Sequence, residues 1–380
     1  MAILIKIIAW FSTFCMVFCN LFVIKAPSNA RTDLNECKNV IFMIGDGMGF
    51  NSINKTKAEK GLSEIYMDSF PLQGESKTRS ANNVVTDSAA GGTALATAVR
   101  TNNDAVGVYP FEPSGIYSYP MNLTELAISQ DKLAGVITTD STSGATPAAF
   151  SAHTSARGNE EDITMQQLNS DLTLVWGTAT ASFTEELCAD AGYEYIYNKL
   201  TMDALEEGSR SFGQFTSDVW HTVSPKNMPT LAEMTAKAID LLDDDEDGFF
   251  LMVEGAHIDK NNHNNNGEGM KDALVSFDNA VGVALKYAEK NGDTLVIVTA
   301  DHETGGITLK NGVYEYTKGG HSSANVPLLV YGCDNFMEDG EVMNNKEASR
   351  RVACVMGCDN FPIKTVREYD ESKDRFGKVC

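Results

Sequence analysis

Glu254, Asp259 and His263 follow directly on an apolar run, residues 249–253, in the segment Val253-Glu254-Gly255-Ala256-His257-Ile258-Asp259-Lys260-Asn261-Asn262-His263. Carboxylates and an imidazole at the end of a core strand are ligand types that hold zinc and magnesium. If the chain turns into a helix after Gly255, Asp259 and His263 stand four apart on one face and can grip one cation, while Glu254 points elsewhere from the strand end. Two different metals can then be served. For this segment by itself a solvated polar loop is the plain alternative, and other segments have to decide.

Three of them repeat the arrangement. Thr299-Ala300-Asp301-His302-Glu303 follows the β-branched run 294–298, and Gly319-Gly320-His321 supplies another imidazole. Residues 40–44 deliver Asp46 into the turn Gly45-Asp46-Gly47-Met48-Gly49, whose glycines let the backbone approach an ion or phosphate closely. Any α/β domain has polar residues at its strand tips, so each segment is weak alone. Together they converge, because sites in open α/β sheets collect at the carboxyl ends of the strands. Asp46, Asp259, Asp301, Glu254, His263, His302 and His321 offer enough nitrogen and oxygen for two zinc ions and a harder, oxygen-bound magnesium. Two metals about 4 Å apart can activate a nucleophile and stabilise a leaving oxygen at once. The nucleophile candidate is Ser88, which opens the run of small residues Ser88-Ala89-Ala90-Gly91-Gly92-Thr93-Ala94. Asp87 or Ser88 also reads as a simple helix N-cap. The two readings are compatible, since backbone N–H groups and the helix dipole favour a phosphate there.

With these residues in view, the chain resembles the zinc-dependent, serine-nucleophile alkaline phosphatases. The matching blocks are residues 39–49, 85–108 with Arg100-Thr101-Asn102 and Val106-Gly107, 145–157, 252–263, 294–306 and 319–325, in the family's order. Asp87-Ser88-Ala89 argues for this branch over sister enzymes of the superfamily, which keep the metal residues but use threonine or a modified cysteine. The resemblance implies that Asp259, His263 and His321 bind a first zinc, and that Asp46, Asp301, His302 and the Ser88 alkoxide bind a second. It implies magnesium on Asp46, Thr146 and Glu254. Arg157 would grip two non-bridging phosphate oxygens, Asp87 would orient that arginine, and Lys260 matches a lysine that bacterial members place just outside the metals. His153 and His257 match no metal position and read as structural.

One departure stands out. The family has an aspartate or histidine two residues before the magnesium threonine, where this chain has Gly144. By this reading Lys260 lacks a partner there, magnesium activates weakly, and Gly144→Asp tightens magnesium binding unless Asp140 or another acid fills the vacancy. The function implied is hydrolysis of phosphate monoesters by two in-line displacements through a phosphoserine, with little leaving-group selectivity. A guanidinium fork suits a dianionic monoester, and a diester has one oxygen too few to reward it. Two other functions stay open: a phosphodiesterase or sulfatase of the same superfamily, and a catalytically inactive phosphate- or metal-binding exoprotein.

The chain's 380 residues suffice for one large α/β domain whose core needs no staples. Lys6, the apolar run 7–24 and Ser28-Asn29-Ala30 read as a secretory signal over residues 1–30, preferred to a retained anchor, with the catalytic domain at 31–380. A secreted protein, periplasmic or extracellular, is expected, without stable membrane insertion after signal removal. The polar stretch 373–380 lacks the tail of a GPI signal. Loss of Cys15 and Cys19 leaves six of eight cysteines, and at least one disulfide is expected. The net charge of −22 becomes −24 when Lys6 and Lys25 leave with the signal. Such a surface repels nucleic acid and anionic membranes, so the expected partners are small-molecule phosphate monoesters captured locally at the metals and Arg157. A homodimer is among the assemblies the resemblance allows.

Residues 243–254 satisfy the pattern of a calcium loop, but the apolar run 249–253 must be buried strand, so the acids read as a solvated helix end. Asn54-Lys55-Thr56 and Asn122-Leu123-Thr124 are glycosylation sequons, meaningful only in a eukaryotic secretory pathway. Strand-like runs at 40–44, 135–139, 172–176, 249–253, 294–298 and 326–331 alternate with helical ones at 88–99, 147–157, 231–242, 270–290 and 346–357. The pattern predicts an α/β fold, a three-layer α/β/α sandwich around a central, largely parallel sheet. Residues 159–230 carry no catalytic motif and are expected to extend the sheet edge. Only a short segment separates Asp301-His302 from His321, so the crown insertion of animal members of the family is not expected.

Overall fold

Strands that are apolar at every position, not at alternate ones, must be covered on both faces. The runs 40–44 and 249–253 are of that kind, and every residue of the strands that contain them, 39–45 and 249–255, is buried. The computed structural model describes residues 33–110, 118–216, 219–223 and 227–366. The expected signal at 1–30 lies outside them.

Ten strands make one sheet: β1 (Asn39–Gly45), β2 (Leu72–Lys77), β3 (Leu133–Ser141), β4 (Leu174–Thr178), β5 (Glu194–Ile196), β6 (Ser211–Phe215), β7 (Phe249–Gly255), β8 (Thr294–Thr299), β9 (Val326–Tyr331) and β10 (Val342–Asn344). Their spatial order is β10-β2-β9-β8-β1-β7-β3-β4-β6-β5. Neighbours run parallel except at β9, which is antiparallel to both β2 and β8. Residues 159–230 supply β4, β5 and β6, and so extend the sheet edge as the sequence predicts.

Successive side chains of a strand point to opposite faces, and the two faces build two cores. Seven helices matter here: α1 (Phe50–Lys60), α2 (Ser88–Thr97), α3 (Ala145–Ala149), α4 (Leu231–Leu242), α5 (His257–His263), α6 (Gly267–Asn291) and α7 (Asn345–Val355). Val40, Phe42 and Ile44 pack with Ala89 and Leu95 of α2, Ala148 of α3 and Val352 of α7. Ile41 and Met43 pack on the other side with Leu231 and Met234 of α4 and Phe277 and Val281 of α6. The result is the predicted three-layer α/β/α sandwich.

The helix expected over 147–157 stops at Ala149. Beyond it the chain turns, because Thr154 pairs with Val106 in a β-bridge and the Arg157 backbone N–H donates to the Asp104 carbonyl at 2.6 Å. Tertiary pairing thus overrides the helical signal, and Arg157 reaches the sheet edge from a turn. The disulfide expectation is not met among the described residues: Cys37, Cys188, Cys354 and Cys358 are buried free thiols. Burial pushes the Cys37 and Cys188 thiols up to about 12, which removes the thiolate needed for exchange. Cys358 lies beyond the end of α7, so Cys354 and Cys358 do not share a helix. Asn122 is wholly buried, and its side chain caps helix Leu123–Ile128 by accepting from Glu125 N at 2.9 Å, which closes that sequon to a glycan. Asn54 is exposed. No helix among the described residues is long and apolar enough to cross a membrane.

Phe42 lies at the centre of the sheet with no exposed surface, its ring centroid 5.7 Å from that of Phe150 and 6.5 Å from that of Phe250. Phe42→Ala leaves a cavity in a layer that cannot collapse onto it. We expect a loss of about 3–5 kcal/mol in unfolding free energy, read from the urea midpoint at unchanged slope. A loss under about 1 kcal/mol would show that the layer repacks.

Candidate metal centre

Parallel strands in register bring their ends together. Ile44 of β1 lies opposite Glu254 of β7 and Thr299 of β8, so Asp46, Glu254 and Asp301 emerge side by side from three adjacent strands. After β7 the chain enters α5 as the spacing predicts, carrying Asp259 and His263 one turn apart. His321 comes from the segment that leads into β9. Because β9 runs backwards, its start lies at the same edge as its neighbours' ends. Ser88 is the first residue of α2, and Thr146 is the second of α3. Close approach requires glycine at two positions. A Cβ on Gly91 would stand 2.9 Å from the Asp301 carbonyl, and one on Gly47, whose φ is +69°, would stand 2.8 Å from Asp259.

The three imidazoles have fixed tautomers. His321 Nδ1 donates to the Thr86 carbonyl at 2.9 Å, and His263 Nδ1 donates to the Gly319 carbonyl at 2.8 Å. The Thr304 hydroxyl donates to Asp259 Oδ1 at 2.5 Å, so it accepts from His302 Nδ1 at 3.2 Å. In each ring Nε2 is therefore the nitrogen left to act as a ligand. These nitrogens face other ligand atoms. His263 Nε2 stands 3.0 Å from His321 Nε2, and Asp259 oxygens stand 3.4 Å from the first and 3.6 Å from the second. His302 Nε2 stands 3.2 Å from Asp301 Oδ2 and 3.7 Å from Asp46 Oδ1. Two ligand groups emerge, one around Asp259 and His321 and one of Asp46, Asp301 and His302, with His302 in reach of both. Cations between them would satisfy these facing groups together.

Electrostatics give the same answer. Burial pushes the Asp46 carboxyl well above the usual carboxylate range, helped by Asp301, Asp259 and Glu254 and opposed by Arg157. Burial, then Asp140, push Glu254 up to about 8, and burial raises Asp301. Burial and the neighbouring His321 hold His302 well below its ordinary range, so its contacts with Asp46 and Asp301 are not ion pairs of the metal-free protein. Asp46 Oδ1, Asp301 Oδ2 and Thr146 Oγ1 are buried with no hydrogen-bond partner. Such atoms are costly unless something else pairs them, and divalent cations fit the donor set.

Ser88 Oγ lies 3.2 Å from His302 Nε2, at the second ligand group. Asp87 does both things the sequence left open. Its Oδ1 caps α2 by accepting from Ala90 N at 2.9 Å, and its Oδ2 accepts from Asp104 N at 2.8 Å and faces Arg157 Nη1 at 3.9 Å. His153 is structural, as expected, held between the Gly107 carbonyl and Glu125. His257, stacked on Trp220 and touching Thr139 Oγ1, is also outside the ligand groups. The expectation that Lys260 lacks a partner is corrected: its Nζ pairs with the Asp140 carboxylate. Sequence reading missed Thr304 and the carbonyls of Thr86 and Gly319, which orient the histidines. Thr304 had a signal, standing two residues after a ligand on the same short strand, Glu303–Thr304; backbone carbonyls leave none.

A model of the alkaline phosphatase family matches residues 37–174 and 180–365. The chain belongs to the alkaline phosphatase family. Alkaline phosphatase 4 of Bacillus subtilis is 34% identical over 311 residues, covering 75% of this chain and 65% of the relative. The alkaline phosphatase of Escherichia coli K12 is 33% identical over 333 residues, 70% of each. This chain therefore spans about two thirds of the length of these alkaline phosphatases. The alkaline phosphatase of the Antarctic bacterium TAB5 superposes with a TM-score of 0.69 at 31% identity, covering 86% of this chain and 99% of that one. A mutant of the TAB5 enzyme has been seen with Mg bound in its M3 site, and superposes at 0.71.

A carboxyl group raised from 4.5 to about 8, as in Glu254, stays protonated in the folded protein over a range where the unfolded chain has lost the proton. The metal-free fold then binds more protons than the unfolded state, so its stability falls as pH rises from about 4.5 to about 8. Zinc and magnesium should flatten that slope, because metal replaces the proton. Thermal unfolding across this window, with chelator and with added metals, measures the difference. Superposable pH profiles would mean that the buried acids do not bind metal.

Proposed function

We propose that this protein hydrolyses phosphate monoesters through a phosphoserine at Ser88, using two zinc ions and one magnesium ion. The observation that carries the reading is Ser88 Oγ, 3.2 Å from a bare imidazole nitrogen, at the mouth of buried acceptors that lack partners. The sets that include imidazole suit zinc: Asp259, His263 and His321 in one, and Asp46, Asp301, His302 and Ser88 in the other. Asp46, Thr146 and Glu254 form an oxygen set that suits magnesium. When bound, the metals supply positive charge that stabilises the serine alkoxide and the departing oxygen.

The chain's own groups do the rest. Ser88 Oγ gives its proton to solvent water and attacks phosphorus, while the bond between phosphorus and the ester oxygen breaks and the leaving oxygen takes a proton back from solvent, so that the alcohol departs and no net proton is lost. Water then attacks the phosphoserine, releasing phosphate and restoring the hydroxyl. Its place at the N-terminus of α2 sets backbone N–H groups beside the phosphoryl oxygens. Arg157, steadied by Asp87, holds two of those oxygens. Residues 1–30 serve as an export signal for the catalytic domain 31–380, and the enzyme works in the periplasm or outside the cell. The net charge of −22 disfavours nucleic acid as a partner and leaves capture of esters to the site itself.

4-Nitrophenyl phosphate should turn over faster than its diester and sulfate analogues, and a higher diester rate would overturn the reading in favour of a phosphodiesterase. Prolonged chelation should abolish the activity and zinc restore it, with His321→Ala behaving like chelated enzyme.

Ser88→Ala should lose the acid-stable phosphoserine and on the order of 10³-fold or more in kcat/KM, yet still bind phosphate. Arg157→Ala keeps every metal ligand, and about 2–4 kcal/mol in kcat/KM is expected to go with the guanidinium. A phosphoenzyme that survives Ser88→Ala would move the nucleophile elsewhere.

A further inference from the structure

Asp140, at the end of β3, stands against the glycine that the sequence left as a gap. One of its oxygens pairs with Lys260 Nζ. The other occupies the volume of a side chain at position 144: a Cβ on Gly144 would lie 2.9 Å from Asp140 Oδ2 and 2.9 Å from the Ser141 carbonyl oxygen. Both are closer than carbon and oxygen can pack. The backbone of Gly144 is unstrained, at φ −55° and ψ 155°, so this crowding, not a left-handed turn, excludes a side chain.

Asp140 is also tied to the pocket of oxygen ligands. Its backbone N–H donates to Thr138 Oγ1 at 2.9 Å, and that hydroxyl donates in turn to the Glu254 carboxylate. Glu254 is wholly buried. Thr146, whose hydroxyl lies beside Glu254, is equally buried. A divalent cation held by Asp46, Thr146 and Glu254 would share this end of the sheet with the Lys260 ammonium, and although that side chain is 45% exposed, like charges at close range still repel. A carboxylate between them removes that cost.

We propose that Asp140 is the acidic positioning residue of this oxygen-ligand pocket, cancelling the charge of Lys260 and filling the space of residue 144, which is glycine for that reason. The inference takes from the phosphatase reading only the presence of a divalent cation in the pocket. It reverses the expectation for Gly144→Asp, which now crowds a second carboxylate against Asp140 and weakens magnesium binding.

The test is calorimetric titration of magnesium chloride into the full chain, freed of magnesium but carrying its other metals. Asp140→Asn, nearly isosteric, should raise the magnesium Kd about 10–100-fold at an unchanged melting temperature of the magnesium-free protein. Gly144→Ala should move Kd the same way, because its Cβ displaces the carboxylate. Lys260→Gln placed in the Asp140→Asn background should recover most of the affinity, which a merely structural role for Asp140 would not produce. Unchanged magnesium affinity in Asp140→Asn, or no recovery in the double variant, overturns the proposal. Monoesterase turnover and phosphoserine trapping of the parent report separately on the proposed function: a parent that binds magnesium through Asp140 but hydrolyses no monoester sinks that reading and leaves this one standing.

Discussion

Buried ligand groups facing one another are the constraint on which this fold turns. Left alone, Asp46, Asp301, Asp259 and the three histidines would crowd one another, and a pliable chain would relax to separate them. Here they cannot separate. Asp46 and Asp301, with Glu254 between the same layers, sit at the ends of adjacent parallel strands whose register is locked by ladder hydrogen bonds and by side chains packed on both faces. The glycines at 47 and 91 let the remaining backbone close in to contact distance. Interiors are stiff enough to transmit such strain instead of absorbing it. The site is thus organised before any ligand arrives, and the affinity for cations is the stored repulsion of the acceptors.

The orientation of the rings follows from groups that never touch a cation. Thr86 and Gly319 each offer a carbonyl, and Thr304 relays a hydrogen bond from His302 to Asp259. A ring turned over would place an N–H where a lone pair is needed. These outer contacts matter for metal affinity almost as much as the ligands themselves. They also join the two ligand groups, since one hydroxyl fixes a member of each.

What could be read in the sequence was the chemistry carried by side chains in fixed local patterns. The apolar runs before Asp46, Glu254 and Asp301 are core strands, and Asp259 and His263 share a helix because they stand four residues apart. What could not be read depended on contacts distant in sequence. The helix after Thr146 ends early because Thr154 finds Val106, and neither residue announces the other. Asp140 meets Lys260 across 120 positions, so the sequence could offer it only as one acid among others for the vacancy at Gly144. The strands β2, β5, β6 and β10 were missed for a related reason. They are short, or mixed in polarity like Leu72–Lys77, and become strands only because an exposed sheet edge offers them partners.

The reversed strand β9 has a wider meaning. In an all-parallel sheet each new strand must be reached by a crossover over one face, and that crossover is part of the core. Between β8 and β9 the chain instead leaves and returns at the same edge, through the segment that holds Glu303–Thr304 and His321–Ser322 as a small antiparallel pair. The hairpin 308–315 leaves this segment with Leu309 and Val313 in solvent, while Tyr314 packs against the second core. Material added at its tip would lengthen no crossover and disturb no layer, provided the base pair kept Thr304 and His321 in place. The loop is an insertion port: a point where the architecture can acquire a new module in the same segment that carries Thr304 and His321 while the sheet beneath stays as it is.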